Sequence, residues 1–147
     1  SPVFSNPDFE VLEYLFTQFT FHKPSDYFPR RTIRNDRYKL IHNLKYAKAE
    51  PLIRADGDKA YEYSQKPKYN GTKVQKAFHL MANPPEFELY NLENDSNEFN
   101  NIASKPEYQE ILNELKVELF KWRKETHDPL LYPYIRENVK SYNPIKK

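Results

Sequence analysis

The sequence predicts an α+β fold: a small antiparallel sheet of three to four strands packed against a long C-terminal amphipathic helix. Three observations lead there. Residues Phe28 to Leu44 alternate in hydrophobicity around one break at Asn35-Asp36, Glu86 to Leu92 alternate again, and Tyr108 to Trp122 carry apolar residues at helical spacing. Strands followed by one helix form a two-layer unit in which the helix covers a sheet face.

Taken in order, Asn6-Pro7-Asp8 has the form of a helix start, with Asn6 as cap and Pro7 at the first helical position. Leu15 to Phe21 is aromatic and β-branched and predicts a strand, and Lys23 to Asp26 a loop. Phe28 to Leu44 reads as a hairpin turning at Asn35-Asp36, residue types that tolerate positive φ. The stretch 45–85, interrupted by Pro51, Gly57, Pro67, Gly71, Pro84 and Pro85, predicts an irregular insertion. Glu86 to Leu92 supplies a further strand. Ser104-Lys105-Pro106-Glu107 has the spacing of a capping box, and Tyr108, Ile111, Leu112, Leu115, Leu119 and Trp122 then share one helical stripe. Lys121, Arg123 and Lys124 suit the negative end of the helix dipole, Pro129 ends the helix, and 130–147 is expected as an extended tail. The whole, 1–147, reads as one domain, and its opening on Ser1 in place of Met gives the expectation of an excised piece.

Composition narrows the chemistry. With 23 Lys or Arg against 21 Asp or Glu, a net charge of +2 gives no expectation of a nucleic-acid or polybasic membrane partner. No apolar run approaches the ~20 residues of a membrane-crossing helix. The absence of cysteine excludes disulfides, thiolate metal sites and cysteine nucleophiles, and two glycines cannot build a phosphate-binding loop. The four histidines, His22, His42, His79 and His127, never fall at the i, i+4 spacing of a helical metal pair.

The densest polar cluster is Arg30, Arg31, Arg34 and Arg37 around the hairpin. Alternation sets Arg31 against Arg30 and Arg34, so that Arg31 shares a face with Ile33. On a core-facing side a guanidinium must be paired. Two readings stay open for it, a salt bridge to Asp26 or Glu88 and an anion site. His42 reads as a partly buried strand histidine. Asn70-Gly71-Thr72 and Asn94-Asp95-Ser96 have the form of glycosylation sequons.

Several stretches carry a resemblance. Phe28-Pro29-Arg30-Arg31-Thr32-Ile33-Arg34-Asn35-Asp36-Arg37-Tyr38-Lys39-Leu40-Ile41 resembles the hairpin that opens the C-terminal subdomain of many sulfatases. Phe87-Glu88-Leu89-Tyr90-Asn91-Leu92-Glu93-Asn94-Asp95, with Glu98, Asn101 and Ile102, is similar to the family's following strand and turn. Trp122 to Pro129, and Leu44-Lys45-Tyr46 with Pro51, resemble the sulfamidase branch, the heparan N-sulfatases. The resemblance spans about Leu15 to Pro129.

The resemblance implies a parent enzyme related to alkaline phosphatase. A large catalytic domain of the same polypeptide would hold a formylglycine, made within Cys/Ser-x-Pro-x-Arg, and a calcium ion. This chain has no such motif and no Asp-Asp pair, so the resemblance implies no catalytic residue, no metal ligand and no cofactor here. The expected partners are that catalytic domain and a sulfated saccharide of the glycosaminoglycan kind, with a periplasmic, secreted or lysosomal parent. His22 and Arg31 are the substrate-binding candidates: His22 either reaches the cleft or bonds nearby backbone, and Arg31 is either a cleft cation or an internal anchor. A competing reading is an autonomous carbohydrate-binding or protein-interaction module.

Overall fold

The computed structural model describes residues 13–21, 27–46 and 58–139. Strands β1 (Leu15–Phe21), β2 (Tyr27–Arg34) and β3 (Tyr38–Asn43) are followed by helices α1 (Asp58–Ser64) and α2 (Lys73–Ala82), strand β4 (Phe87–Asn91), the long helix α3 (Gln109–Glu125) and a short helix α4 (Pro133–Asn138). The strands form one antiparallel sheet in the order β1-β2-β3-β4. The expected helix start at Asn6-Pro7-Asp8 lies outside the described residues.

Register decides which side chains of the sheet face α3. Phe16, Ile33, Leu40 and Leu89 stand opposite one another across all four strands. Because side chains alternate with a period of two, this row and the next, Gln18, Arg31, His42 and Phe87, face the same way. Helix α3 lies over that face. Its Leu112, Leu115 and Leu119 close with Ile33, Leu40, Leu89 and Ile102 into the core, and Trp122 stacks on Phe16 with ring centroids 5.1 Å apart.

Four local expectations need correction. Neither Asn35 nor Asp36 takes a positive φ, values the described chain reserves for Glu98, His127 and Gly71. The hairpin turn is held instead by the Asn35 side chain, whose Oδ1 accepts from the amides of Arg37 at 3.0 Å and Tyr38 at 2.7 Å, satisfying donors the turn would otherwise leave open. The Ser104 capping box does not form. Pro106 starts a 3₁₀ turn, Pro106–Tyr108, with Lys105 as its cap residue and no side-chain cap bond.

The stretch 45–85 contains α1 and α2 where irregular chain was expected. Gly71, at φ +74, turns the chain, the Thr72 hydroxyl caps α2 by accepting from the Gln75 amide at 3.3 Å, and the Gln75 side chain accepts from the Gly71 amide at 3.0 Å. The region expected as an extended tail turns helical at Pro129–Leu131 and again in α4.

Helix α3 ends in a Schellman motif. The His127 amide donates to the Lys124 carbonyl and the Asp128 amide to the Arg123 carbonyl, with His127 in the left-handed region at φ 53 that such a reversal requires. The reversal folds Asp128 back beneath the last turn of the helix.

Leu115 is fully buried at the centre of the layer. Leu115→Ala should cost about 2–5 kcal/mol of unfolding free energy by urea titration, and Trp122→Ala, at the half-buried border, less.

Candidate functional site

Of the two site candidates, His22 lies outside the described residues, and Arg31 sits in a buried charge cluster between β2 and the end of α3. Arg31 faces α3, as its register beside Ile33 requires. Its Nε donates to Asp128 Oδ2 and its Nη2 to Asp128 Oδ1, both at 2.8 Å, a bidentate pair with both side chains almost wholly buried. Its Nη1 donates to the carbonyls of Arg30 at 2.8 Å and Phe19 at 3.1 Å. Every guanidinium nitrogen of Arg31 is thereby engaged inside the molecule, so the internal-anchor reading describes its environment.

The partner differs from both candidates. Glu88 lies in the Thr17-Thr32-Ile41-Glu88 row on the other face of the sheet, out of reach of Arg31, and Asp26 lies outside the described residues. On its own face Glu88 accepts from Asn43 Nδ2 at 2.7 Å and from the Tyr90 hydroxyl, whose pKa rises through burial and this bond to a carboxylate.

Asp128 receives a second arginine. Arg123 Nε donates to Asp128 Oδ2 at 2.8 Å, and the Leu130 amide donates to Oδ1 at 3.1 Å. Burial alone would raise this carboxyl's pKa. The bonds from Arg31, Arg123 and the Leu130 amide outweigh it and hold the group down at about 2. Arg123 Nη1 lies 3.3 Å from His42 Nδ1, and since a guanidinium only donates, His42 accepts there and carries its proton on Nε2, 3.7 Å from Glu86 Oε1. Burial, and behind it the charge of Arg123, pushes the imidazole down to about 3. Two guanidinium groups, one carboxylate and one neutral imidazole leave a net charge of +1 in the layer.

Near neutral pH this arrangement has no proton to exchange: the carboxyl is ionised and the imidazole neutral. What it does is clamp. It ties the end of β1, through the Phe19 carbonyl, to β2, to the last turn of α3 and to the Pro129–Leu131 turn. His22 lies outside the described residues. His79, on α2, meets Gln65 Oε1 at 2.9 Å, away from the clamp. Among the described residues no group of three or more His, Cys, Asp or Glu could hold a metal ion. No described helix is long and apolar enough to cross a membrane. Sequence reasoning missed Asp128 as the partner of Arg31 and Arg123 as the second arginine on that carboxylate; only their place at the end of an apolar stripe hinted at a shared helix end.

Two stability measurements test the cluster. Asp128→Asn leaves two buried cations without their counter-charge and should cost about 3–5 kcal/mol. For His42, the folded imidazole stays neutral to about pH 3 while the unfolded one takes its proton near 6.5. The unfolded state therefore binds more protons in that window, and stability should fall as pH drops from 6.5 toward 3, by up to about 1.4 kcal/mol per pH unit. Denaturant midpoints between pH 7 and 4 should show this slope, and His42→Gln should flatten it. The depressed Asp128 carboxyl adds to the loss only below about pH 4, its contribution disappearing as pH falls to about 2.

Comparison with known proteins gives this architecture a context. No family model matches the chain. The chain is 32% identical over 131 residues to an ulvan-active sulfatase of Formosa agariphila, covering 88% of this chain and 24% of that protein. It is 27% identical over 124 residues to human N-sulphoglucosamine sulphohydrolase, covering 78% and 24%. In fold it resembles a solved 2-O GAG sulfatase with a TM-score of 0.53 at 18% identity, covering 91% of this chain and 22% of that one. The chain spans about a quarter of the length of the curated relatives it matches, in their C-terminal part. In sequence and in fold, this chain corresponds to the C-terminal subdomain of the sulfatases.

Proposed function

We propose that the chain is the non-catalytic C-terminal subdomain of an enzyme that hydrolyses sulfate groups from sulfated sugars such as heparan-type glycosaminoglycans. It walls one side of a substrate cleft whose reacting groups, the formylglycine and its calcium, belong to a catalytic domain of the same polypeptide. The observation that carries this reading is the 32% identity to the ulvan-active sulfatase over 88% of the chain. The human relative, by name a hydrolase of N-sulphoglucosamine, supports the same substrate class.

Within this reading His22 contacts the sulfated sugar and Arg31 acts at a distance. His22 directly follows the last residue of β1, Phe21. Arg31 holds the Phe19 carbonyl two residues before that end, and Asp128 holds Arg31. The clamp thus sets where the strand delivers the residues after it. Exposed Tyr132 and Tyr134, at 65% and 77%, favour the second reading of an autonomous carbohydrate-binding module, whose aromatic rings would stack on a sugar.

Sulfate release from N-sulfoglucosamine and from O-sulfated sugars, measured for the longer polypeptide and for the 147-residue chain, separates the two. Release by the longer protein and none by the chain is the expected outcome. In the longer protein His22→Ala should lower kcat/KM about 10–100-fold, the worth of one charge-assisted hydrogen bond, with an unchanged melting temperature. Release by the chain alone would refute the assignment, and tight binding of the sugar by the chain alone would favour the module.

A further inference from the structure

The two borders of the sheet are treated differently by the chain. Along β4, outward-facing backbone groups are covered from within: the Leu89 amide donates to Asn101 Oδ1 and the Leu89 carbonyl accepts from the Ile102 amide, each at 2.9 Å. At the other border, among the described residues, β1 pairs with β2 alone. Its seven residues, Leu-Phe-Thr-Gln-Phe-Thr-Phe, include no charge, no proline and no glycine. Soluble proteins guard such a border with lysine, proline, shortness or a covering element, and beyond the one irregularity between Phe19 and Phe21 this strand has no such guard among the described residues.

The side chains show the same contrast. On the inner face Phe16 is covered by Trp122. On the outer face Leu15 and Phe19 flank Thr17 and remain 53% and 41% exposed.

We propose that the free edge and outer face of β1 form the seam with the remainder of the longer polypeptide, an extended segment of which adds to the sheet beside β1 and covers Leu15 and Phe19. The inference rests on the reading of the chain as part of a longer sulfatase, whose relatives have about three-quarters of their length outside the match. Main-chain pairing gives such a junction its affinity, and the apolar pair sets its register.

Hydrogen–deuterium exchange on the 147-residue chain and on the longer polypeptide tests the seam. The β1 amides directed away from β2 should exchange freely in the chain alone and at least ~100-fold more slowly in the longer protein. Leu15→Asp with Phe19→Asp should leave the chain's melting temperature unchanged yet abolish that protection in the longer protein. Equal protection in both would overturn the proposal and assign the cover to the chain's own residues 1–12. A concentration-dependent dimer of the chain, dissociated by the same two substitutions, with no added protection in the longer protein would overturn it in favour of a second copy. Sulfate release in the same preparations keeps the two readings apart. Release without β1 protection refutes the seam alone, whereas protection without release upholds the seam and refutes the catalytic assignment.

Discussion

The carboxylate of Asp128 joins parts of the chain that lie far apart in sequence. Through Arg31 it holds β2 and the end of β1, through Arg123 the last turn of α3, and through the Leu130 amide the turn that follows. A carboxylate with four accepted bonds and almost no solvent has its charge fully compensated, which is the condition under which a buried ion pair is tolerated. The carboxylate is the member the others depend on, because removing it leaves two cations that water cannot reach, whereas either arginine alone still pairs with it. The backbone prepares this meeting: the Schellman reversal at His127 turns Asp128 back under the helix it has just left.

Around that clamp the layer is conventional. One row of residues across the four strands and one stripe along α3 supply the apolar contact, and the polar groups that enter are bonded through most of their atoms, with Arg123 Nη2 and His42 Nε2 left without a hydrogen-bond partner among the described residues. The opposite face is arranged differently, with Glu88 accepting from Asn43 and Tyr90. Polar networks on opposite faces fix the register of β2, β3 and β4, since a slip by one residue would exchange the partners of both.

The strands and the long helix were legible because each rests on local periodicity. Leu15 to Phe21 is a strand with the expected limits, the alternation around Asn35-Asp36 is a hairpin, and the stripe from Leu112 to Leu119 is the helix's buried side. That Arg31 turns inward was legible too, from its parity with Ile33. Its partner was not, because a separation of 97 residues leaves no local signal. The start of α2 was written in Gly71-Thr72-Lys73-Val74-Gln75, a turn glycine followed by a capping pair, but the prolines and glycines spread through 45–85 drew the reading toward irregular chain. At Ser104 the opposite happened. A capping pattern was present, yet Pro106 and the 3₁₀ turn it starts prevailed. His22, read from resemblance, lies outside the described residues.

The span between Arg31 and Asp128 also orders events during synthesis. A ribosome delivers residues one by one from the amino end, so β2 is made long before the carboxylate that neutralises its arginine. Until residue 128 has left the exit tunnel, closing the helix over the sheet would entomb an uncompensated cation. The fold in which that arginine is paired is therefore complete only once residue 128 has been made.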